Sequence, residues 1–340
     1  MLLFLFSGCL LSWDGFENDT GGATLDVYDT DTDTDTDAAA DTDSHDTAPP
    51  EDTQGTDSST DSEAPLVFTQ VSAGGYHSCA LDSVGGVTCW GDDTKGQLTD
   101  APEETGYFDI ASGAYHSCAL NKAERVVCWG DDEFAQTTIP TLLQSRHFSH
   151  VSVSEKYSCA LDKSSGEPHC WGEDDRLQVS GAPSLELTAL SAGYGFTCGL
   201  DGGDLSCWGD VLFEEEAYNA PTYTSLSVGR WHGCSISSTD ELTCWEGSGD
   251  EYGAVSEAPS APVDSVSSGN DYSCAVDNSS GILCWGRDVD GAVTAKPSTT
   301  GFEAISAGFY HACALDSAGA ITCWGKNTQN QAPTTPFTPG

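Results

Sequence analysis

The sequence predicts an all-β fold assembled from seven tandem units of about 40 residues, and three observations carry that prediction. Fourteen of the fifteen cysteines fall into seven couples, Cys79/Cys89, Cys118/Cys128, Cys159/Cys170, Cys198/Cys207, Cys234/Cys244, Cys274/Cys284 and Cys313/Cys323, each ending in Cys-Trp. The twelve residues up to each first cysteine align without a gap, from FTQVSAGGYHSC to FEAISAGFYHAC, and successive first cysteines lie 39, 41, 39, 36, 40 and 39 residues apart. Such a period marks stacked supersecondary units. Aromatic and β-branched residues dominate the units, Gly, Asp and Ser punctuate them, and no stretch keeps a 3.6-residue apolar period, so the units read as strands, with room for four short ones each.

Residues 1–9, MLLFLFSGC, form an apolar run that ends in small residues and the one cysteine outside the couples, Cys9. The run resembles the end of a bacterial lipoprotein signal, which makes Cys9 a candidate lipidation site and the membrane a partner through that lipid. A hydrophobic terminus with a fortuitous cysteine is the bland alternative. Residues 10–64 are an Asp/Thr-rich linker. Residues 1–64 hold 17 Asp or Glu and no Lys or Arg, formal charge −17 of the total −43. So little apolar surface cannot offset chain entropy, and a disordered spacer is expected.

Residues 65–340 hold the repeats, near 66–106, 107–146, 147–186, 187–222, 223–262, 263–301 and 302–340. Two columns are candidate core. Val71, Ile110, Val151, Leu190, Leu226, Val266 and Ile305 stand eight residues before the first cysteine, and Leu81, Leu120, Leu161, Leu200, Ile236, Val276 and Leu315 stand two after it. The spacing within each couple fits a hairpin. Nine residues from Cys198 to Cys207 place the two opposite one another across a Gly202-Gly203 turn, ten fit a three-residue loop with Gly85 or Gly319 at its left-handed position, and eleven fit the loop Lys163 to Gly166. Each couple is therefore read as a cross-strand disulfide. Zinc thiolates would need close C-x-x-C knuckles, which are absent. Seven bridges imply an oxidising compartment.

The unit A-G-x-x-H-S-C-A-L-D, then G-x-V-x-C-W-G, then x-N-x-x-G-Q, resembles the repeat of the regulator of chromosome condensation family, with AGGYHSCALDSVGGVTCWGDDTKGQL among the closest copies. The resemblance implies a seven-bladed β-propeller, the architecture that also closes seven such units into a ring. Because the chain ends in APTTPFTPG, Leu66 to Ser72 is expected to complete a blade shared with the last repeat. The nuclear, chromatin-bound role of the eukaryotic founder finds no support here, since disulfide-spaced cysteines and strong acidity oppose it. A charge of −43 also repels nucleic-acid phosphates, so no nucleic-acid partner is expected.

His77, His116, His232 and His311 share one column with Tyr157, Phe196 and Tyr272, and a position that accepts Phe packs rather than ligates. No metal, cofactor or catalytic residue is implied; G-x-S-x-G, phosphate-loop and H-E-x-x-H patterns are missing. Function is expected where the repeats disagree. If the loop after each first strand and the loop after each Cys-Trp share one face, that face gathers Tyr76, Tyr115, Tyr194, Trp231, Phe309 and Tyr310 beside Asp92, Asp93, Asp131, Asp132, Asp174 and Asp175. The expectation is a monomeric, exported, lipid-anchored, non-enzymatic module at the cell surface or outer membrane, or released outside the cell. Its partner is a protein or peptide of basic or amphipathic character. The rival is a surface hydrolase or lyase acting on glycans.

Overall fold

The computed structural model describes residues 65–211, 222–246 and 252–333. Cys9 and the 10–64 spacer lie outside the described residues. The first repeat forms one antiparallel sheet of an inner strand Phe68–Ala73, a middle strand His77–Asp82 and an outer strand Val87–Gly91. Six further sheets, within 107–130, 148–172, 187–209, 223–246, 263–286 and 302–325, repeat that order, and the seven are the blades of an all-β propeller.

The expected four strands per blade become three. In the first, second, third, sixth and seventh blades, where it is described, the segment after the outer strand coils through turns because side chains satisfy the amides that a fourth strand would offer to a ladder. Asp93 Oδ1 accepts from the backbone of Leu98 and Thr99 at 2.8 and 3.0 Å, and the fully buried Gln97 accepts from Lys95 N–H at 2.7 Å. Asp132 with Gln136 and Asp174 with Gln178 do the same in the next two blades. These side-chain bonds compete with regular structure as Asx turns do.

The hairpin arithmetic holds in every blade, where the two cysteines face each other in register. The seven bonds are Cys79–Cys89, Cys118–Cys128, Cys159–Cys170, Cys198–Cys207, Cys234–Cys244, Cys274–Cys284 and Cys313–Cys323, with Cα atoms 4.0 to 4.1 Å apart. The two ends of a bridge differ in depth. The cysteine on the middle strand is buried in each blade, whereas Cys89, Cys128, Cys170, Cys207, Cys244 and Cys284 on the outer strands are only partly covered; Cys323 alone is buried there. Each staple thus ties the outer edge of a blade to its interior.

Gly202 and Gly203 both take positive φ, as a two-residue turn between paired Asp201 and Asp204 demands. Gly85 and Gly319 sit at φ 77°, and Glu124, Asp240 and Ser280 adopt the same left-handed conformation at the matching place without the glycine. Asn121 Oδ1 and Asp277 Oδ1 each accept two backbone N–H groups across the turn, and Ser237 Oγ does so in the fifth blade, which offsets the strain.

The core lies between blades rather than within them. Cys79 and Leu81 of the first blade pack on Tyr107, Ile110, Ala119 and Trp129 of the second, and analogous slabs follow around the ring. Every residue of the Leu81 column is buried, whereas Leu226, Val266 and Ile305 of the Val71 column are only partly so. The tryptophans lock neighbours together: Trp129 Nε1–H donates to Gln97 O at 2.9 Å and Trp171 to Gln136 O at 2.9 Å.

Closure differs from the expected shared blade. Among the described residues, 68–73 pair only with their own middle strand. The ring instead closes through the contacts that join any two successive blades. Phe68 N–H donates to Gly319 O as Tyr107 N–H does to Gly85 O, Trp90 donates to Gln331 O at 3.0 Å, and His311 meets Ser78 Oγ at 2.7 Å. Seven similar interfaces need no separate fastener.

Candidate binding face and axial cavity

Strand direction decides which loops meet. In the six blades where the residue past the outer strand is described, its backbone bonds to the loop before the middle strand, as in Asp92 N–H to Tyr76 O at 3.0 Å and Lys326 N–H to Tyr310 O at 2.9 Å. Both loop series therefore emerge on one face, and the 83–85 turn series lies on the other.

The six aromatics of this face are all half-buried and form two clusters. Tyr76 stacks on Tyr115 at 4.8 Å with 17° between planes and meets Tyr310 edge-on at 6.3 Å, while Phe309 packs against Tyr310. Tyr194 and Trp231 pack edge-to-face at 5.3 Å. Cations lie over the rings: Arg230 4.7 Å from Tyr194 and 5.4 Å from Trp231, Arg176 5.1 Å from Tyr194, and Lys326 4.8 Å from Tyr310. Those basic residues are the feature of the face that repeat alignment missed, because they occupy no common column.

The acidic residues have structural tasks as well. Asp92 is buried and accepts from Thr94 Oγ1 and Gln97 Nε2 at 2.7 and 2.9 Å. Asp131 accepts from Gln136 Nε2 and pairs with Lys95 at 2.8 Å. The amides of Leu98 and Thr99 hold the Asp93 carboxyl below its usual range. Partial desolvation opposes the same effect at Asp132 and Asp174, but the donors of Thr138 and Thr137, and of Ser180 and Val179, outweigh it. Asp175 receives Gln178 Nε2 at 3.3 Å and stays largely exposed beside Arg176. These charges ring the outer loops and do not line the axial cavity.

A cavity of about 190 Å³ lies on the axis, lined by the inner strands of all seven blades, with Tyr194, Arg230 and Phe309 where it meets the aromatic face. Seven residues before the first cysteine, six repeats carry serine and the second carries Ala111. Each of these hydroxyls accepts a backbone N–H from the next blade, for example Ser72 Oγ from Ser112 and Ser306 Oγ from Ala73, the latter across the closure. That column was visible in the alignment, but only the ring gives it a role. Two residues earlier, Asp109 accepts from His150 Nδ1 at 2.9 Å and Val151 N–H at 2.9 Å, and His150 Nε2 donates to Leu190 O at 3.2 Å. Both imidazole nitrogens face acceptors, an arrangement that favours the protonated ring. Burial works against that charge, yet Asp109 lifts its pKa above the ordinary 6.5.

The histidine column is packing, as expected. His77, His116, His232 and His311 are buried, and each Nε2 meets a serine Oγ of the next blade at 2.7 to 2.9 Å. Desolvation pushes His77 down to about 4 and His116 and His311 to about 3, so these three are neutral.

Fold and face together define a disulfide-stapled seven-bladed propeller with an aromatic, cation-bearing loop face. Residues 68–97, 109–136 and 302–331, in the first, second and last blades, match the Regulator of chromosome condensation (RCC1) repeat, so the chain carries repeats of that family. Among solved structures it is similar to the CRINKLY WD40 ectodomain of the Arabidopsis thaliana receptor kinase ACR4, with TM-score 0.67 and 24% identity over 79% of this chain and 100% of that one. The ectodomain of the Physcomitrella patens receptor kinase CR4 gives 0.64 and 25% over 76% of this chain and 74% of that one. Prp20p from Saccharomyces cerevisiae gives 0.58 and 17% over 71% and 80%.

Proposed function

We propose that the chain is an exported interaction module, held at a cell surface by a lipid on Cys9, whose aromatic face docks a protein partner. The gathering of Tyr76, Tyr115, Tyr194, Trp231, Phe309 and Tyr310 on one face, half-buried and braced by cations, carries this reading. Rigid aromatics and arginines of this kind are the usual anchors of protein interfaces. Seven disulfides favour an oxidising, extracytoplasmic compartment. The outer loops still carry their carboxylate charges, which favours a partner that is basic around its rim. Among proteins of similar fold, Prp20p binds Gsp1p and histones.

Glycan hydrolysis needs two carboxylates facing across a cleft. The paired acids here sit in outer turns, and Asp109 on the inner strand of the second blade is engaged by His150, Val151 and Gln70, an arrangement that favours binding over catalysis.

The test is a triple variant, Tyr194→Ala, Trp231→Ala and Phe309→Ala. The protein should capture a partner from its source's envelope or medium, identified by mass spectrometry and shown to bind directly when purified. The triple variant should lose that binding with a nearly unchanged thermal midpoint, while Val84→Ser with Phe108→Ser on the opposite face should keep it. Unaltered binding by the triple variant refutes the reading.

A further inference from the structure

Arg230 is unusual in so acidic a protein. Around the same face Lys95, Lys156, Arg176 and Arg287 each pair with a carboxylate. Among the described residues no carboxylate pairs with Arg230: its guanidinium lies over Tyr194 and Trp231, Nη1–H reaches Asn270 Oδ1 at 3.3 Å, and the buried Nε has no hydrogen-bond partner. Lys326, over Tyr310 and Tyr76, likewise has no carboxylate partner among the described residues. The nearby carboxylate of Asp271 is taken by Arg287 and Asn270. A partly desolvated guanidinium left so is costly unless something completes its bonds.

The cavity beside it presents donors. The hydroxyl oxygens of Ser72, Ser152, Ser191, Ser267 and Ser306 are used as acceptors by the next blade, and no acceptor for their own protons is found among the described residues. Donors converging beside one guanidinium disfavour a cation and suit an anion. About 190 Å³ is many times the roughly 10–15 Å³ that one water requires, so a group of several heavy atoms fits. Ala73, Val153, Ala192, Val228 and Ala307 supply apolar wall between the hydroxyls. One rim arginine balances one negative charge, and apolar wall suits a carbon stem, which together favour a monoanionic carboxylate over a phosphate dianion.

We propose that the axial cavity is a carboxylate site, in which Arg230 and the serine hydroxyls hold one carboxylate on a short carbon stem. The stem belongs either to a free small acid or to an acidic residue of a bound protein. The site does not depend on the docking role of the aromatic face, since a free acid suffices to fill it.

The test is calorimetry with tryptophan fluorescence, the latter reporting through Trp231, on the full oxidised chain. The probes are glutarate, an N-acetylated and C-amidated Gly-Glu-Gly peptide, its Gln counterpart and inorganic phosphate. Saturable binding of glutarate or of the Glu peptide is expected, with the Gln peptide at least about tenfold weaker, the usual worth of a charged hydrogen bond. Glutarate binding alone points to a free acid, and Glu-peptide binding alone to a protein-borne one. Arg230→Gln should weaken binding at least about tenfold and Arg230→Lys less, while Ser267→Ala, which installs the residue found at Ala111, should cost a few-fold. Thermal midpoints report folding of each variant. The site is overturned if no carboxylate probe saturates, if Gln and Glu peptides bind alike, if phosphate binds more tightly than both acids, or if a folded Arg230→Gln protein binds as before.

Discussion

Acid should weaken this propeller through its buried histidines, and His116→Phe isolates one of them. His116 is buried between the second and third blades, and desolvation holds its pKa at about 3 against an ordinary value of 6.5. Above pH 6.5 the ring is neutral whether the chain is folded or not, and it contributes no pH dependence. Below 6.5 the unfolded chain binds a proton that the folded chain refuses, so stability falls as pH falls and stops falling near the folded value. Between pH 7 and pH 5 the loss is about 2 kcal/mol for this one residue, from roughly 1.4 kcal/mol per pH unit over the 1.5 units below 6.5. Phe is a tolerable replacement because Phe196 occupies the same column. It also strands no donor: Ser158 Oγ, which receives His116 Nε2–H at 2.9 Å, itself donates to Gln136 O at 2.9 Å. Guanidinium unfolding of the oxidised protein, followed by tryptophan fluorescence at pH 7 and pH 5, gives the comparison. The carboxylates titrate alike in both proteins and cancel in the difference. The variant should lose about 2 kcal/mol less than the parent over that interval. Equal losses would show that His116 is protonated in the fold, and the reasoning on the whole column would fail with it.

Replacing both cysteines of one hairpin, Cys118→Ala with Cys128→Ala, frees a loop of 10 residues, and chain entropy sets the loss at roughly 2 to 3 kcal/mol, read as a lower guanidinium midpoint; no change would mean the unfolded hairpin is already closed. His150 works with the opposite sign to His116. Its pKa is raised above 6.5, so the Asp109–His150 contact stabilises most below 6.5 and is lost as pH rises through the raised value. An NMR titration should place His150 above 6.5 and Asp109→Asn should lower it, whereas a titration at or below 6.5 would refute the Asp109–His150 ion pair.

Much of one blade was legible because its causes are local. Cys118 and Cys128 are joined by a short turn, so loop length alone sets their register, and alternation then puts Leu120 inside and Tyr115 at the loop. The candidate site was legible only as a set of positions. That Tyr76 stacks on Tyr115 while Tyr194 meets Trp231 depends on which blades adjoin, and that Arg230 lies over Tyr194 depends on loops 36 residues apart along the chain. The fourth strand was misjudged because Asp93 and Gln97 look like ordinary solvated residues until their bonds to Leu98 and Lys95 are drawn.

The repeat, the seven hairpins, their disulfides and the face on which the variable loops emerge could all be read from the chain, since each follows from chemistry within a single unit of about 40 residues. The manner of ring closure, the partners of the serine and histidine columns, and the identity of the cation left without a carboxylate emerged with the folded ring alone. Those outcomes are contacts between blades, 241 residues apart in the case of Trp90 and Gln331, and no pattern within one repeat encodes what the neighbouring blade presents to it.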